Sequence, residues 1–425
     1  MIHEIDERLF PGFCHFKKIG EGAFGKVFTA LNSKTNIQVA IKCVDKINLM
    51  TASNRNVFQS ELAIYNKIEH PFLTQFYATT EDNAGVYIAL EFGEKGTLLD
   101  RIISQRKLKE QQACKIFCEI VSALNYLHNT AKIIHRDIKA ENIIVDNNDD
   151  IRLIDFGLSS FMNTKEELNE RCGTFVYSSP EMLRGIPYTR SIDIWSCGIL
   201  LYLMVTGSFP FAAEDQRELK QDICFKDPQV PTSISKDCRD LLLKLLTKDP
   251  SERITIEEIA VHPWILANRA SYYLTTQFNE NLKYIITPHD KSDINSLVLN
   301  SLSKNGCDIS TLEADLLNGR LTESTILYKY FLKRQFLMKL HSPEEIRAGK
   351  NQIHNIKKLI SCQTEHSSIK HPSSQISTMK KVPPKSTKPR SASVSLKIFI
   401  PQNTSQQSAL PALTPSPIQR KLIFL

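Results

Sequence analysis

A chain of 425 residues with 42% hydrophobic side chains is long enough for two or three folded units and can fill a substantial core. Its longest apolar run, around residues 199–205, is too short for a membrane span, and the start Met1-Ile2-His3-Glu4-Ile5-Asp6-Glu7 reads as too charged for a secretory signal. The net charge of +7 is uneven: residues 336–425 carry 14 Lys and Arg against 3 Asp and Glu, whereas the rest carries 39 against 43. Ten cysteines without a C-x-x-C pair read as reduced thiols of a cytosolic or nuclear protein, not as a disulfide or zinc framework.

In chain order, residues 16–19, 26–31 and 38–44 have the β-branched and aromatic alternation of strands. A helical spacing over 55–68 follows, then strands over 72–80 and 86–91. From 98 to 264 the pattern turns helical, most clearly over 113–128, 193–206, 236–246 and 256–262. A β-rich small lobe joined to a helical large lobe is an α+β, bilobal plan with a cleft between its halves. A connector over 266–288 leads to a short helical unit over about 292–340. Beyond it, Ser, Thr, Pro, Gln and Lys dominate, so 341–425 is expected to be largely disordered. No internal repeat is visible.

The first strands bracket Gly20-Glu21-Gly22-Ala23-Phe24-Gly25-Lys26-Val27, a G-x-G-x-x-G-x-V pattern preceded by Ile19. Glycines let backbone amides approach phosphate oxygens, and Val27 is placed to cover an adenine ring. A dinucleotide fingerprint would open a helix here, but 27–31 continues as strand, and a Walker loop would need Gly-Lys-Ser/Thr. Val39-Ala40-Ile41-Lys42 follows, and Glu61 lies in the next helix ahead of His70-Pro71. A Lys42–Glu61 ion pair would direct the lysine at α- and β-phosphates; the alternative is an ordinary surface lysine. Val86 to Gly93 reads as a strand and inter-lobe hinge whose backbone, at Glu91 and Phe92, would bind the adenine edge with Leu90 behind it.

His135-Arg136-Asp137-Ile138-Lys139-Ala140-Glu141-Asn142, with Asp155-Phe156-Gly157 thirteen residues on, has the spacing that phosphoryl transfer from Mg-ATP requires. Asp137 can take the proton of an attacking hydroxyl, Lys139 can neutralise charge on the phosphoryl group, and Asn142 and Asp155 can hold Mg²⁺.

With these motifs the chain resembles the eukaryotic protein kinases from about residue 16 to 264. Ser179-Pro180-Glu181, Asp193-Ile194-Trp195-Ser196-Cys197-Gly198, Asp249-Pro250-Ser251-Glu252-Arg253 and His262-Pro263-Trp264 extend the likeness. The resemblance implies the bilobal fold, ATP and Mg²⁺, protein substrates and γ-phosphate transfer. Lys139 resembles the serine/threonine class, and the large lobe looks most like the calcium/calmodulin-dependent kinase group, near the AMP-activated and microtubule-affinity-regulating kinases. It also implies that Glu181 pairs with Arg253 and that Asp193 braces the catalytic loop. The implied order is an N-terminal extension (1–15), kinase domain (16–264), linker (265–291), ubiquitin-associated-like unit (292–340) and basic tail (341–425). The rival reading is a pseudokinase scaffold, but Lys42, Asp137 and Asp155 are all present.

Departures from the pattern concern control. Where relatives carry a phosphorylated threonine two residues before Cys172-Gly173-Thr174, this chain has Glu170. Glu170 is expected to face Arg136 as a weaker, permanent substitute, with about one negative charge against roughly 1.5 to 2 for phosphate. The alternative is a solvated Glu170, with Thr164 or an unphosphorylated ordered loop instead. Ser160 replaces a basic residue that some relatives use to grip the phosphate, and Phe175-Val176 replaces Pro-Glu after Thr174. Glu141 is retained where it can read basic residues upstream of the acceptor, but Thr97 and Leu203 stand where basic-directed kinases have acids, so that preference stays open.

The run from Leu327 to Leu340 is basic and amphipathic. It is expected to be the last helix of the small unit with its lysines facing solvent, the alternatives being a calmodulin target or a membrane-surface helix. That unit is a candidate site for a regulatory partner. The tail holds Lys388-Pro389-Arg390-Ser391-Ala392-Ser393 and Leu413-Thr414-Pro415-Ser416-Pro417, which match sites for basic-directed and proline-directed kinases or are idle sequence. Its charge fits weak, salt-sensitive contact with acidic partners or anionic lipid, and no specific nucleic-acid motif is present.

Overall fold

The β-branched segments of the small lobe pair into one antiparallel sheet of order β1-β2-β3-β5-β4. Its strands are β1 (Phe13–Gly22), β2 (Gly25–Asn32), β3 (Gln38–Asp45), β4 (Phe76–Glu81) and β5 (Gly85–Glu91). The computed structural model describes residues 4–22, 25–162, 172–275 and 290–342, with 278, 288 and six positions between 351 and 358, all within the unit Met1–Ile360. Between β3 and β4 lies α1 (Ala52–Lys67), started by the Thr51 hydroxyl, which accepts the Asn54 N–H. Its buried face carries Glu61, Ile64 and Tyr65, so a carboxylate sits where helical spacing calls for an apolar residue.

The strand expected over 72–80 begins only at Phe76. Phe72 and Leu73 are buried in the large-lobe core instead, and the Thr74 N–H donates to Leu153 O at 2.9 Å. Apolar residues at consecutive positions cannot all face one side of a sheet, and here they are drawn into the other lobe.

The large lobe contains α2 (Leu98–Gln105), α3 (Glu110–Asn125), α4 (Pro180–Arg184), α5 (Ser191–Thr206), α6 (Gln216–Phe225), α7 (Lys236–Leu245), α8 (Ile256–Ala260) and α9 (Pro263–Leu266). Two short hairpins accompany them: β6 (Ile133–Ile134) pairs with β9 (Ser160–Phe161), and β7 (Ile143–Val145) with β8 (Ile151–Leu153). Helix α5 is buried from Ile192 through Val205 and forms the centre of this lobe, as a helix apolar on all sides must.

The expected linker begins with a packed turn. Arg269–Leu274 forms a tight helical turn whose Tyr272 and Tyr273 are buried, with Ser122 Oγ donating to Tyr273 O at 2.9 Å. Three helices follow, α10 (Ser296–Lys304), α11 (Leu312–Leu317) and α12 (Glu323–Leu340), sharing a core of Val298, Leu302, Leu312, Leu316, Leu327 and Tyr328 that also takes in Ile37 of the small lobe.

Helix α12 departs from expectation in one respect: Lys329 and Lys333 do not face solvent but are 7% and 3% exposed. Leu327 and Tyr328 lie in its own unit's core and Ile326 in the small-lobe core, so two sides of the helix are covered while Gln335, Met338 and Lys339 stay exposed. At its start Glu323 accepts from Asn32 Nδ2 and Lys34 Nζ, each at 2.8 Å. Order also runs past 341: His341 pairs with Asp150, and Ile353 is buried against the large-lobe core. No helix among the described residues is long and apolar enough to cross a membrane.

Candidate active site

A cavity of about 580 Å³ lies between the lobes. Ile19, Gly22, Gly25, Val27 and Ala40 roof it from the sheet. Leu90, Glu91 and Phe92 close it at the hinge, and Lys42, Asn142 and Asp155 reach it from within. Gly20 pairs with Val27 in the β1–β2 ladder and does not line the space; Ala23 and Phe24 lie outside the described residues. At Gly25 a Cβ would fall 1.9 Å from Cys43 O, so only glycine lets β2 run this close to β3. A second cavity, of about 540 Å³, sits behind α3 by Lys115, Trp264 and His341, but no carboxylate lines it.

Lys42 Nζ lies 2.6 Å from Glu61 Oε1 and 3.6 Å from Asp155 Oδ1. Burial works against the ammonium, yet Glu61 and then Asp155 outweigh it and hold the lysine above its ordinary value. Burial likewise pushes Asp155 up, but Lys42, the Gly157 N–H, His135 and Lys139 keep its carboxylate below the usual range and ionised.

Asp137 is the most densely bonded carboxylate in the cleft. Its Oδ2 accepts from Lys139 Nζ at 2.6 Å and Asn142 Nδ2 at 2.9 Å. Its Oδ1 accepts more loosely from the Thr174 N–H at 3.1 Å and hydroxyl at 3.3 Å. Lys139 also donates to Thr174 Oγ1 at 3.0 Å, so the activation segment is joined to the loop at this threonine. Gly173, at φ +83°, permits this approach, since a Cβ there would stand 2.7 Å from Arg136 O.

Arg136 and Asp155 themselves have φ of 68° and 65°, a left-handed conformation that non-glycine residues seldom adopt. Asp193 holds the first of these in place: it accepts the N–H groups of His135 and Arg136 at 2.9 Å each, and His128 Nε2 at 2.8 Å. Glu181 and Arg253 form a buried two-pronged pair at 2.7 and 3.0 Å. Arg136 donates to Leu158 O and, at 3.2 Å, to the Tyr188 hydroxyl. Glu170 and Thr164 lie outside the described residues. Glu141 stands apart from the cavity, half-buried, with Oε2 buried and lacking a hydrogen-bond partner; burial pushes its carboxyl up.

The oxygen donors suit a hard cation. Both Asn142 Nδ2 bonds go to Asp137, one to its main-chain O and one to Oδ2, each at 2.9 Å, which leaves the amide oxygen uncommitted to that loop. The Asp155 carboxylate opens to the same cavity. Among the described residues no cluster of three or more His, Cys, Asp or Glu is placed to hold a metal ion.

One feature has no sequence signature. Aromatic rings from four separate segments form a continuous row through the molecule: Phe76 stacks on Tyr65 at 5.8 Å, Tyr65 meets Phe156 edge-on at 5.4 Å, and Phe156 lies tilted against His135 at 5.2 Å. The stack packs Phe156 inward beneath α1 and ties β4 to the catalytic loop.

Comparison with known proteins agrees with this geometry. The protein kinase domain family matches residues 13–265. The chain is 35% identical over 284 residues to the probable serine/threonine-protein kinase MARK-A of Dictyostelium discoideum, covering 66% of this chain and 26% of that protein. It is 32% identical over 328 residues to the SNF1-related protein kinase catalytic subunit alpha KIN12 of Arabidopsis thaliana, covering 76% and 64%. It is 32% identical over 331 residues to the serine/threonine-protein kinase SIK2 of Gallus gallus, covering 76% and 40%. The chain thus spans between about a quarter and two thirds of the length of these relatives. With the family matched over more than half its length, the chain belongs to the protein kinases, and its likeness is to serine/threonine kinases of the calcium/calmodulin-dependent group.

Proposed function

We propose that this chain transfers the γ-phosphate of Mg-ATP to serine and threonine hydroxyls of protein substrates. The observation that carries the reading is Asp137, held by Lys139, Thr174 and Asn142, the last of which lines the inter-lobe cavity together with the Glu61-paired Lys42. Two short bonds engage Asp137 Oδ2, so Oδ1 is the oxygen that receives the substrate proton. Lys139 stabilises charge developing beside it, Lys42 holds the phosphates, and Glu61 aims Lys42. Asn142 and Asp155 are the residues that would hold Mg²⁺, which supplies charge neutralisation at the phosphate oxygens. Incorporation of radiolabelled phosphate into a basic protein substrate tests this, wild type against Asp137→Asn. Equal incorporation by the two proteins would overturn catalysis through Asp137 and leave a nucleotide-binding scaffold.

The second part of the proposal is basal activity without phosphorylation of the activation segment. The Lys42–Glu61 contact of 2.6 Å and the inward Phe156 support it, since both belong to a working arrangement. Glu170 supplies the anion for Arg136 in this reading. Loss of most activity in purified, unphosphorylated Glu170→Ala is expected, and unchanged activity would sink the idea.

Glu141, with its buried unpartnered oxygen, is the proposed reader of basic residues upstream of the acceptor. Glu141→Gln is expected to lower kcat/KM for peptides with upstream arginine and not for those without; an equal effect on both would refute it. The order of units in the chain, the ubiquitin-associated likeness of residues 292–340 and a cytosolic or nuclear location complete the reading. Sedimentation of the full chain with anionic vesicles at low and high salt tests the tail, and salt-independent binding would contradict an electrostatic contact.

A further inference from the structure

Glu91 ends β5 at the hinge, and its residue lines the nucleotide cavity, but its carboxylate is committed elsewhere. Oε1 accepts from Arg152 Nε of the large lobe at 2.9 Å. Oε2 accepts from the Gln75 N–H of the small lobe at 3.0 Å and from Lys333 Nζ of α12 at 2.6 Å. Arg152 passes the connection on to Asp146 Oδ2 at 2.9 Å, and Lys333 also donates to Leu73 O at 2.6 Å. Three parts of the molecule therefore meet on one carboxylate at the pivot between the lobes. One turn earlier, Lys329 Nζ donates to Tyr77 O at 2.7 Å and lies 5.9 Å from the centre of the Phe76 ring, the outer member of the aromatic stack.

Docking alone does not account for these lysines. Helix α12 already buries Ile326 in the small-lobe core, with Tyr330 packed beside it. A buried ammonium is a poor way to add adhesion, because desolvation offsets most of its attraction, whereas it demands a particular arrangement of acceptors. The acceptors here are the hinge carboxylate and the backbone oxygens of 73 and 77, on either side of Phe76.

We propose that Lys333 is a positioning residue for nucleotide binding: through Glu91 it holds the hinge backbone in register, while Lys329 steadies the Phe76 end of the stack. The inference rests on the kinase reading only for its kinetic readout, because nucleotide affinity can be measured without phosphoryl transfer.

The test uses the full chain with Lys333→Met, Glu91→Gln, their combination, and Lys339→Met as a control at an exposed position of the same helix. Dissociation constants for Mg-ATP, KM for ATP, kcat and melting temperature are measured on each. Lys333→Met and Glu91→Gln are each expected to raise Kd and KM about five-fold with kcat within about two-fold, and the combination to do no worse than the weaker single variant, since both act at one node. Lys339→Met is expected to match wild type. A lysine with only a structural role would lower the melting temperature and leave Kd unchanged. Unchanged Kd in both single variants, additive effects in the combination, or an equal rise in Lys339→Met would overturn the proposal. If Lys333→Met fails to fold, Glu91→Gln, which keeps volume and shape, decides alone. Should wild type bind nucleotide but transfer no phosphate, the kinase reading fails while the Kd ratios still decide this one.

Discussion

Replacing Asp193 by Asn asks whether the catalytic loop is held from beneath. The carboxylate is 1% exposed and takes three donors: the Arg136 N–H on Oδ1, and the His135 N–H with His128 Nε2 on Oδ2. Burial pushes it up, but His128, His135 and these hydrogen bonds hold it below the usual carboxylate range, so it is charged at neutral pH. His128 Nδ1 has no partner, which fits the tautomer that donates from Nε2. An amide keeps only one acceptor oxygen. If that oxygen serves His135 and His128, the amide NH₂ faces the Arg136 N–H, and an orphaned buried donor costs about 1–3 kcal/mol. Arg136 is also the residue at φ 68°, whose strain of about 1–3 kcal/mol persists only while its surroundings hold it. The strain is common to both proteins, so the expected destabilisation is about 1–3 kcal/mol, and borne by the loop alone it lowers kcat about 5- to 150-fold. Asp193 does not line the nucleotide cavity, so KM for ATP should stay within about two-fold. Steady-state kinetics on a basic peptide, with melting curves on the same samples, make the measurement. A folded Asp193→Asn protein with kcat within about three-fold of wild type would refute the bracing argument.

Two other expectations follow from buried charge. Glu181→Ala strands the fully buried Arg253 guanidinium, and losing one partner of such a pair costs about 3–5 kcal/mol, read as a melting temperature lower by roughly 10 °C; Glu181→Met with Arg253→Met should recover much of it, and no recovery would argue that the pair does more than fill space. His341 Nε2 lies 2.8 Å from Asp150 Oδ2, in a cluster with Lys115 and Glu119, and the hydrogen bond to Asp150 raises its pKa above the ordinary histidine value. A raised histidine contributes stability that is fully present below about pH 6.5 and is lost as pH rises through the folded value. The melting-temperature advantage of wild type over His341→Gln should thus shrink as pH rises above the ordinary histidine range, and a constant difference would count against the pair.

Much of the site was legible because its members are close in the chain. Asp137, Lys139 and Asn142 fall within six residues, so backbone geometry alone brings their side chains together, and the structure joins all three. Lys42 and Glu61 could be paired because one strand and one helix separate them. The Glu181–Arg253 pair and the role of Asp193 came from the family likeness, since no local rule links residues that far apart. The 72–80 segment reads as strand throughout, because alternation cannot reveal that Phe72 and Leu73 belong to the other lobe. That Tyr272 and Tyr273 of the connector are buried is not visible in the sequence, because they sit in a polar stretch.

Residue order and spacing thus determine the two lobes, the glycine-rich turn and the set of groups that surround a phosphoryl transfer. Tertiary structure alone decides how those groups are held. The aromatic stack draws Tyr65, Phe76, Phe156 and His135 from four segments, and Lys333 meets Glu91 across 242 positions of sequence. Periodicity reports which face of an element avoids water, but the apolar residues of α12 are spread around the helix among basic and polar ones and mark no single such face. Which of its sides meets the hinge, and that two of its lysines are buried there, depends on the surfaces it packs between.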